Sequence, residues 1–429
     1  MAGLISVISF DNIWKVGKYI YYGLLASQNR GQDNYIATLG DGVKLSISEG
    51  DFNPHHANGP FSEASGHVGM GGIYGLGEIY ERKHAYASHN GHEVAIIIDG
   101  VISGSTYELA RELCKLVSSG HKLDEAFLEI VNRYHGAYSL ISMSNSAEVI
   151  AYRAPPGIKP LHVGGYGFDL AIISSESAPI SILGGDLRRA INPGELIYLT
   201  QDEVRMVRTF DGKPTLCAFE YIYTARHDSI LDGIDVYYIR SSLGAKLASR
   251  FSYDVDVVVG VPETAMPYAI GFAKALGKDI ELGFVSTGSR IRTATKEDPK
   301  ERLIGIQLKL NPIKYVFSGK RVAIVDDSLV RGLTMKNVVQ ILRNKVGVKE
   351  VHVVVGSPKL KFRCPYGVSI PSSEELLAAN LDDELGVKYI EADSITWLSV
   401  DDVVDVFSRY GVNLCLGCFL GKYPVGCST

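Results

Sequence analysis

The 429-residue chain has no stretch approaching the run of about 20 apolar residues that a membrane-crossing helix requires. It has no polybasic run and a net charge of −5, which points away from nucleic acid as a partner. It has no internal repeat and no low-complexity segment. Its first residues, Met1 to Phe10, lack the basic start and small-residue cleavage site of a secretory signal, and read as the first strand of a cytoplasmic protein. What is present is ordinary for a globular protein: 46% apolar and 21% charged residues. The length favours two or three domains, each able to bury its own core.

Cysteine is scarce, with six in all: Cys114, Cys217, Cys364, Cys415, Cys418 and Cys427. Disulfides are a poor default for a large cytoplasmic chain. The close Cys415-Leu-Gly-Cys418 pair points instead to metal or redox chemistry. Cys114 reads as a small buried hydrophobe, and Cys427 as part of a frayed tail.

In the first half, short apolar runs alternate with glycine-rich breaks. Glu93–Asp99, Ala137–Met143 and Leu170–Ser174 read as strands. Leu109, Leu113, Leu116 and Val117 recur at helical spacing within Thr106–Val117, and a second helix is expected over Leu123–Arg133. A polar stretch from Thr209 to Thr215 is a plausible boundary. Beyond it, strand-like Val255–Gly260, Arg321–Val325 and Val351–Val355 alternate with helical Tyr268–Leu276 and Met335–Asn344. That alternation predicts a parallel sheet with helices on its faces.

The most informative motif is Val322-Ala-Ile-Val-Asp-Asp-Ser-Leu-Val-Arg-Gly-Leu-Thr334. A buried strand ends in Asp326 and Asp327, where open α/β sheets place their ligands. The loop through Gly332 then opens a helix, and its N–H groups can cradle an anion, helped by the Ser328 and Thr334 hydroxyls. Two carboxylates taken alone could simply end a strand and cap a helix. Beside an anion cradle they suit a sugar phosphate: they can hold a ribose diol and favour positive charge developing on the ring.

This run resembles the phosphoribosyl-diphosphate (PRPP) signature of type I phosphoribosyltransferases. Its surroundings resemble the amidophosphoribosyltransferase family, the enzymes that begin purine synthesis. The segments that carry the resemblance are Cys217–Ser229, Lys309–Pro312, Val351–Pro358 and Gly417–Val425, with Gln28–Gln32, Pro156–Leu161, Ser175–Ser177 and Pro193–Glu195 in the first half. The resemblance implies an αββα sandwich of the N-terminal-nucleophile (class II glutamine amidotransferase-like) type over residues 1–215. A type I phosphoribosyltransferase α/β domain with a C-terminal cysteine segment would follow over residues 216–429.

The first half departs from that family. Its nucleophile is a cysteine exposed by removal of the initiator methionine, and the matching residue is Ala2. The arginine that clamps the glutamine carboxylate falls at Tyr74, and the Asn-Gly that supports the oxyanion hole appears as Asp99-Gly100. The aspartate of an Arg-Asp-Pro segment is Ala154. A methyl group cannot attack, and a carboxylate carries the wrong sign beside an oxyanion. The expectation is a glutaminase half without activity.

In the second half the resemblance assigns the ribose to Asp326 and Asp327, and the 5-phosphate to Ser328, Arg331, Gly332 and Thr334. Leu333 stands where the family usually has threonine, so one hydroxyl donor is gone. A charge-assisted hydrogen bond of that kind is worth about 1.5–3 kcal/mol. The diphosphate falls to Arg292 and Lys309, and Arg302 joins the two aspartates in catalysis. Ser286, Thr287, Gly288 and Gln307 replace family cations or amides, and Pro262-Glu263-Thr264 replaces Pro-Asp-Ser. The site is therefore expected to keep its sugar-phosphate end better than its diphosphate end, with Mg2+ entering alongside PRPP.

By spacing alone, Cys217, Cys364, Cys415 and Cys418 suit either zinc or an iron–sulfur cluster. The resemblance implies a [4Fe–4S] cluster of structural role. It also implies a homo-oligomer or, in a second reading, a non-catalytic regulatory or scaffolding subunit. Such a subunit would bind PRPP or purine nucleotide and form a hetero-oligomer with an active paralogue.

Overall fold

The computed structural model describes residues 1–11, 13–52, 66–75, 83–286, 304–305, 307–308 and 310–425. Two antiparallel sheets build the first half. One runs in the order Asp186–Ala190, His162–Tyr166, Leu170–Ser174, Ala2–Ser9, Val68–Tyr74, Asn34–Gly40, Leu45–Asp51. The other runs Val204–Arg208, Glu195–Leu199, Val149–Arg153, Gly136–Ser144, His92–Ile102, His84–His89.

The two-residue period of a strand divides their side chains between faces. Leu4 and Ile8 join Met70, Ala95, Ile97 and Ile141 in a core between the sheets. Ile5 and Val7 point outward, under the helices Gly17–Ala26 and Ser177–Ile182. Val94, Ile96 and Ile98 point outward from the second sheet, under Thr106–Ser118 and Leu123–Ile130. The result is the expected four layers, αββα. Thr106–Ser118 extends its predicted span by one residue, and the Ser105 hydroxyl caps it by accepting from the Tyr107 N–H.

The second half centres on a parallel sheet in the order Val257–Gly260, Arg321–Asp326, Glu350–Val355, Ser394–Trp397. Val258, Ala323, Val325 and Val354 face Val236–Ala248 and Met266–Leu276, whereas Val257, Val259, Val322, Ile324 and Val353 face Leu333–Ile341. A sheet buried on both faces explains why these strands read as unbroken apolar runs. The short strand Thr215–Cys217 pairs in parallel with Asn413–Cys415 and draws the end of the chain back to the junction between the halves.

Among the described residues, no helix is long and apolar enough to cross a membrane.

Candidate functional site

The strand Arg321–Asp326 lies between two parallel neighbours, and its C-terminal end delivers Asp326 and Asp327 side by side. The Asp327 N–H donates to Asp326 Oδ1 at 3.0 Å, and the Ser328 hydroxyl donates to Asp327 Oδ1 at 2.6 Å. Burial, then repulsion from Asp327, raises the Asp326 pKa well above the carboxylate range. Asp327 is raised by burial too, against hydrogen bonds from Ser328 and Thr264 and the nearby Arg240 cation. A self-repelling buried pair gains strongly from any positive charge placed between its members.

Gly332 follows with φ of +73° and caps the helix Leu333–Ile341. A Cβ there would sit 2.9 Å from Ile390 Cδ1, so glycine suits both the backbone angle and the space. Leu333 and Thr334 are exposed on the first turn. Arg331 turns away from the loop: its Nε and Nη2 donate to Glu375 Oε2 at 2.9 and 2.6 Å. Arg292, Arg302 and Lys309, expected at the diphosphate end, lie outside the described residues, as do Thr287, Gly288 and Cys427.

Two contributors here carry no sequence signal of their own. Tyr223 has its hydroxyl pKa pushed up to about 12, by burial first and then by Asp327 and Asp326. Arg240 is fully buried and donates to the carbonyls of Tyr221, Tyr223 and Ala225 at 2.8, 3.0 and 2.7 Å. It thereby fixes the segment that carries Tyr223 past the two carboxylates.

Three of the four first-half positions singled out above, Ala2, Tyr74 and Asp99, converge; Ala154 packs in the core outside the second sheet. Ala2 and Tyr74 are direct partners across the strands Ala2–Ser9 and Val68–Tyr74. Asp99 projects from the second sheet on the same inward face as Ala95 and Ile97, and the Ala2 N–H donates to its Oδ1 at 2.9 Å. The Tyr74 hydroxyl donates to the Lys83 carbonyl at 3.4 Å. Gly100, within the strand His92–Ile102, has φ of +109°, and a Cβ there would sit 2.0 Å from the Ala137 carbonyl oxygen, so the strand admits only glycine beside Asp99.

Around Asp99 lies a buried charge network that the sequence reading did not assign. Arg30 Nη1 approaches Asp99 Oδ2 at 3.5 Å, Glu176 Oε1 lies 2.6 Å from its Nε, and Glu220 Oε2 lies 2.7 Å from its Nη2. Lys159 Nζ lies 3.4 Å from Asp99 Oδ1 and 4.0 Å from Glu220 Oε1. Burial alone would raise the Asp99 pKa; Lys159 and Arg30 outweigh it and hold the carboxylate below its ordinary range. Glu176 also accepts from the Asn29 amide, the Arg226 N–H and the Ser229 hydroxyl, at 2.6, 2.9 and 2.7 Å. The network therefore spans the junction between the halves. Its one advance signal was charge set among apolar neighbours, as in Ala218-Phe-Glu-Tyr-Ile222 and Gly157-Ile-Lys-Pro-Leu161.

Cys217, Cys364, Cys415 and Cys418 line one largely enclosed cavity with Lys159, Phe219, Tyr366 and Tyr423. Strand pairing sets Cys217 opposite Cys415, and the short helix Gly417–Leu420 brings Cys418 round. The Tyr366 N–H donates to Cys364 Sγ at 3.4 Å. None of these thiols is in a disulfide. Burial and the neighbouring sulfurs raise the Cys217 and Cys418 pKa values well above the ordinary thiol range. Among the described residues, no group of three His, Cys, Asp or Glu is arranged to hold a single metal ion.

A parallel sheet with paired carboxylates and a glycine loop at its C-terminal edge, joined to an αββα sandwich, defines a phosphoribosyltransferase domain on an amidotransferase-type partner. Residues 230–358 match the phosphoribosyl transferase domain family. The chain is 33% identical, over 99% of its length, to the amidophosphoribosyltransferase of Methanocaldococcus jannaschii, of which it covers 98%. It is 32% identical over 94% of its length to that of Bacillus subtilis, of which it covers 90%. The structure of glutamine PRPP amidotransferase from B. subtilis complexed with ADP and GMP superposes with a TM-score of 0.87 at 31% identity, over 99% of this chain and 97% of that one. A structure described as the allosteric regulatory enzyme of purine biosynthesis also gives 0.87, at 30% identity, over 99% of this chain and 96% of that one. The chain belongs to the amidophosphoribosyltransferase family.

Proposed function

We propose that this chain binds PRPP with Mg2+ at the Asp326–Asp327 loop and forms phosphoribosylamine from ammonia, while its glutaminase half is inert. The Asp326–Asp327 pair carries the transferase reading. Its members repel one another in a buried setting, so a ribosyl group gaining positive charge as its bond to diphosphate breaks is stabilised there. Ammonia then forms the new C–N bond, and diphosphate leaves with the electrons of the broken C–O bond. Ser328, Gly332 and Thr334 receive the 5-phosphate. Arg331 joins them on release from Glu375, and Arg292, Arg302 and Lys309 serve the diphosphate and the catalytic loop.

The inert half is supported by the hydrogen bond from Ala2 to Asp99. On this reading a methyl group stands at the nucleophile's position, a carboxylate held by Arg30 and Lys159 replaces a donor of the oxyanion hole, and Tyr74 replaces the glutamine clamp. The proposed division between residues 215 and 216 falls at the start of the strand Thr215–Cys217, which pairs with the C-terminal segment. Purine nucleotide is a second ligand class, because the B. subtilis relative was solved with ADP and GMP. The reading places the protein in the cytoplasm as a homo-oligomer.

The four cysteines would hold a [4Fe–4S] cluster. The four thiols share one cavity, which supports a common ligand, and the family resemblance favours the cluster over zinc. When bound, the cluster supplies a covalent tie between Cys217, Cys364 and the C-terminal Cys415–Cys418 segment.

A second reading, a regulatory or scaffolding subunit that pairs with an active paralogue, is favoured by the replacements at Ser286, Thr287, Gly288, Gln307 and Leu333. The test is PRPP consumption with ammonium chloride or with glutamine, by the protein alone and mixed with a glutaminase-competent relative. Turnover by the protein alone with ammonium, and none with glutamine, supports the enzyme. Turnover only in the mixture supports the subunit. Glutamine-driven turnover by the protein alone sinks the inert-glutaminase claim.

A further inference from the structure

We infer that the Lys159 ammonium is a direct electrostatic partner of the group held by Cys217, Cys364, Cys415 and Cys418, and that it ties the charge of that group to Asp99 in the degenerate glutaminase pocket. The inference rests on the cluster reading above and adds a residue and a coupling to it.

Lys159 is 1% exposed, yet its Nζ makes no hydrogen bond among the described residues. Its carboxylate neighbours stand off, at 3.4 Å for Asp99 and 4.0 Å for Glu220. A buried ammonium with three N–H donors and no acceptor in bonding geometry is costly, so an acceptor at that place is strongly favoured. The same side chain lines the cavity that the four thiols line. Among the described residues no carboxylate lines the cavity; the other lining residues are Ile158, Phe219, Tyr366, Val368, Ile370 and Tyr423. Lys159 is thus the cation of a chamber whose remaining functional groups are sulfur and two phenols.

An iron–sulfur cube on four thiolates is an anion, and reduction adds a further negative charge. Its potential depends on net charge and on hydrogen bonds to its sulfurs. An ammonium at the wall lowers the energy of the reduced form more than that of the oxidised form. Asp99 and Glu220, at 3.4 and 4.0 Å from the same ammonium, work in the opposite sense, and Arg30 moderates Asp99 from 3.5 Å. Lys159 is therefore shared between the cysteine chamber and a carboxylate of the first half. A change in charge at Asp99 alters the field of the ammonium that the chamber receives.

The test compares the wild type with Lys159→Met, Lys159→Arg and Asp99→Asn. Each full-length chain is purified anaerobically and reconstituted with iron and sulfide. Iron and sulfide per chain are measured, and the potential is titrated by the electron paramagnetic resonance of the reduced cluster. The expected results are a more negative potential in Lys159→Met, recovery towards the wild-type potential in Lys159→Arg, and a more positive potential in Asp99→Asn. If Lys159→Met does not fold, the Asp99→Asn shift decides, because that change preserves volume. The same potential in wild type and variants, with equal iron, overturns the role of Lys159 and leaves the cluster standing. A wild-type chain that takes up no iron overturns the cluster reading and this inference with it.

Discussion

The backbone N–H of Ala2 donates to Oδ1 of Asp99 at 2.9 Å, across a sequence separation of 97 residues. Had Ala2 been the sole change, restoring a nucleophile would restore the chemistry. Here the Asp99 carboxylate is locked by Arg30 and Lys159, and on the function proposed above it stands where an oxyanion would need donors. Ala2→Cys is therefore expected to release no ammonia from glutamine above a heat-inactivated control. Turnover in that single variant would show that Asp99 and Tyr74 are tolerated.

Asp99 should matter more to stability than to any reaction. Asp99→Leu leaves Arg30 and Lys159 buried with one fewer counter-charge, and breaking a buried pair in this way costs about 3–5 kcal/mol. Asp99→Asn keeps the acceptor for the Ala2 N–H and should lose clearly less. Denaturant midpoints of the two variants, at matched m-values, check the order. An equal loss in both would show that the charge contributes nothing.

His162 predicts a dependence on acid. The ring is fully buried, its Nδ1 faces the Ser175 carbonyl at 3.1 Å, and its Nε2 accepts from the Asp232 N–H at 3.2 Å. These partners require the neutral ring, and burial, the largest cause, lowers its pKa from 6.5 to about 4. The unfolded chain takes up this proton at higher pH than the folded chain does. Stability from this group is therefore complete above pH 6.5 and falls as pH drops towards 4. At 1.36 kcal/mol per unit of pKa difference, the loss is about 3 kcal/mol. His162→Gln should flatten that part of the stability–pH curve; an unchanged slope would remove His162 as its source.

Binding of PRPP should depend on the carboxylates and on the glycine that turns the loop. Asp327→Asn keeps the shape but removes charge, and it should weaken Mg2+–PRPP binding by about 1.5–3 kcal/mol, the range for a hydrogen bond to a charged group. Gly332→Ala forces a side chain into a left-handed backbone and towards Ile390 at 2.9 Å. It should cost about 1–2 kcal/mol in stability from the backbone term alone, along with affinity. Titration calorimetry and thermal melts measure both, and wild-type affinity in Asp327→Asn would place PRPP elsewhere.

The order of strands and helices was legible because it rests on local periodicity. Short apolar runs bounded by glycine-rich breaks marked Glu93–Asp99 and Ala137–Met143, and apolar runs alternating with helical stretches marked the parallel strands around Arg321–Asp326. The strand–loop–helix run from Arg321 to Ile341 was legible for the same reason, since its carboxylates, glycine and helix start are contiguous. Element ends were less so: the helix expected at Tyr268 begins at Met266, with Pro267 in its first turn, where proline is tolerated. The predicted Met335–Asn344 helix divides into Leu333–Ile341 and a wider turn over Leu342–Val346.

By itself the sequence determined the order of strands and helices in the two halves, the Asp326–Asp327 loop, an alanine at position 2, and a cysteine pair near the C-terminus. Each of these is a property of neighbouring residues or of one position. Only the tertiary structure decided what the replaced positions touch. It set Ala2 against Asp99, closed Arg30 onto Glu176 and Glu220, held Arg331 at Glu375, and turned Lys159 towards four cysteines drawn from three distant segments. Charges buried at the meeting of two sheets and a domain junction are chosen by their partners in space, and no local pattern encodes which partners those are.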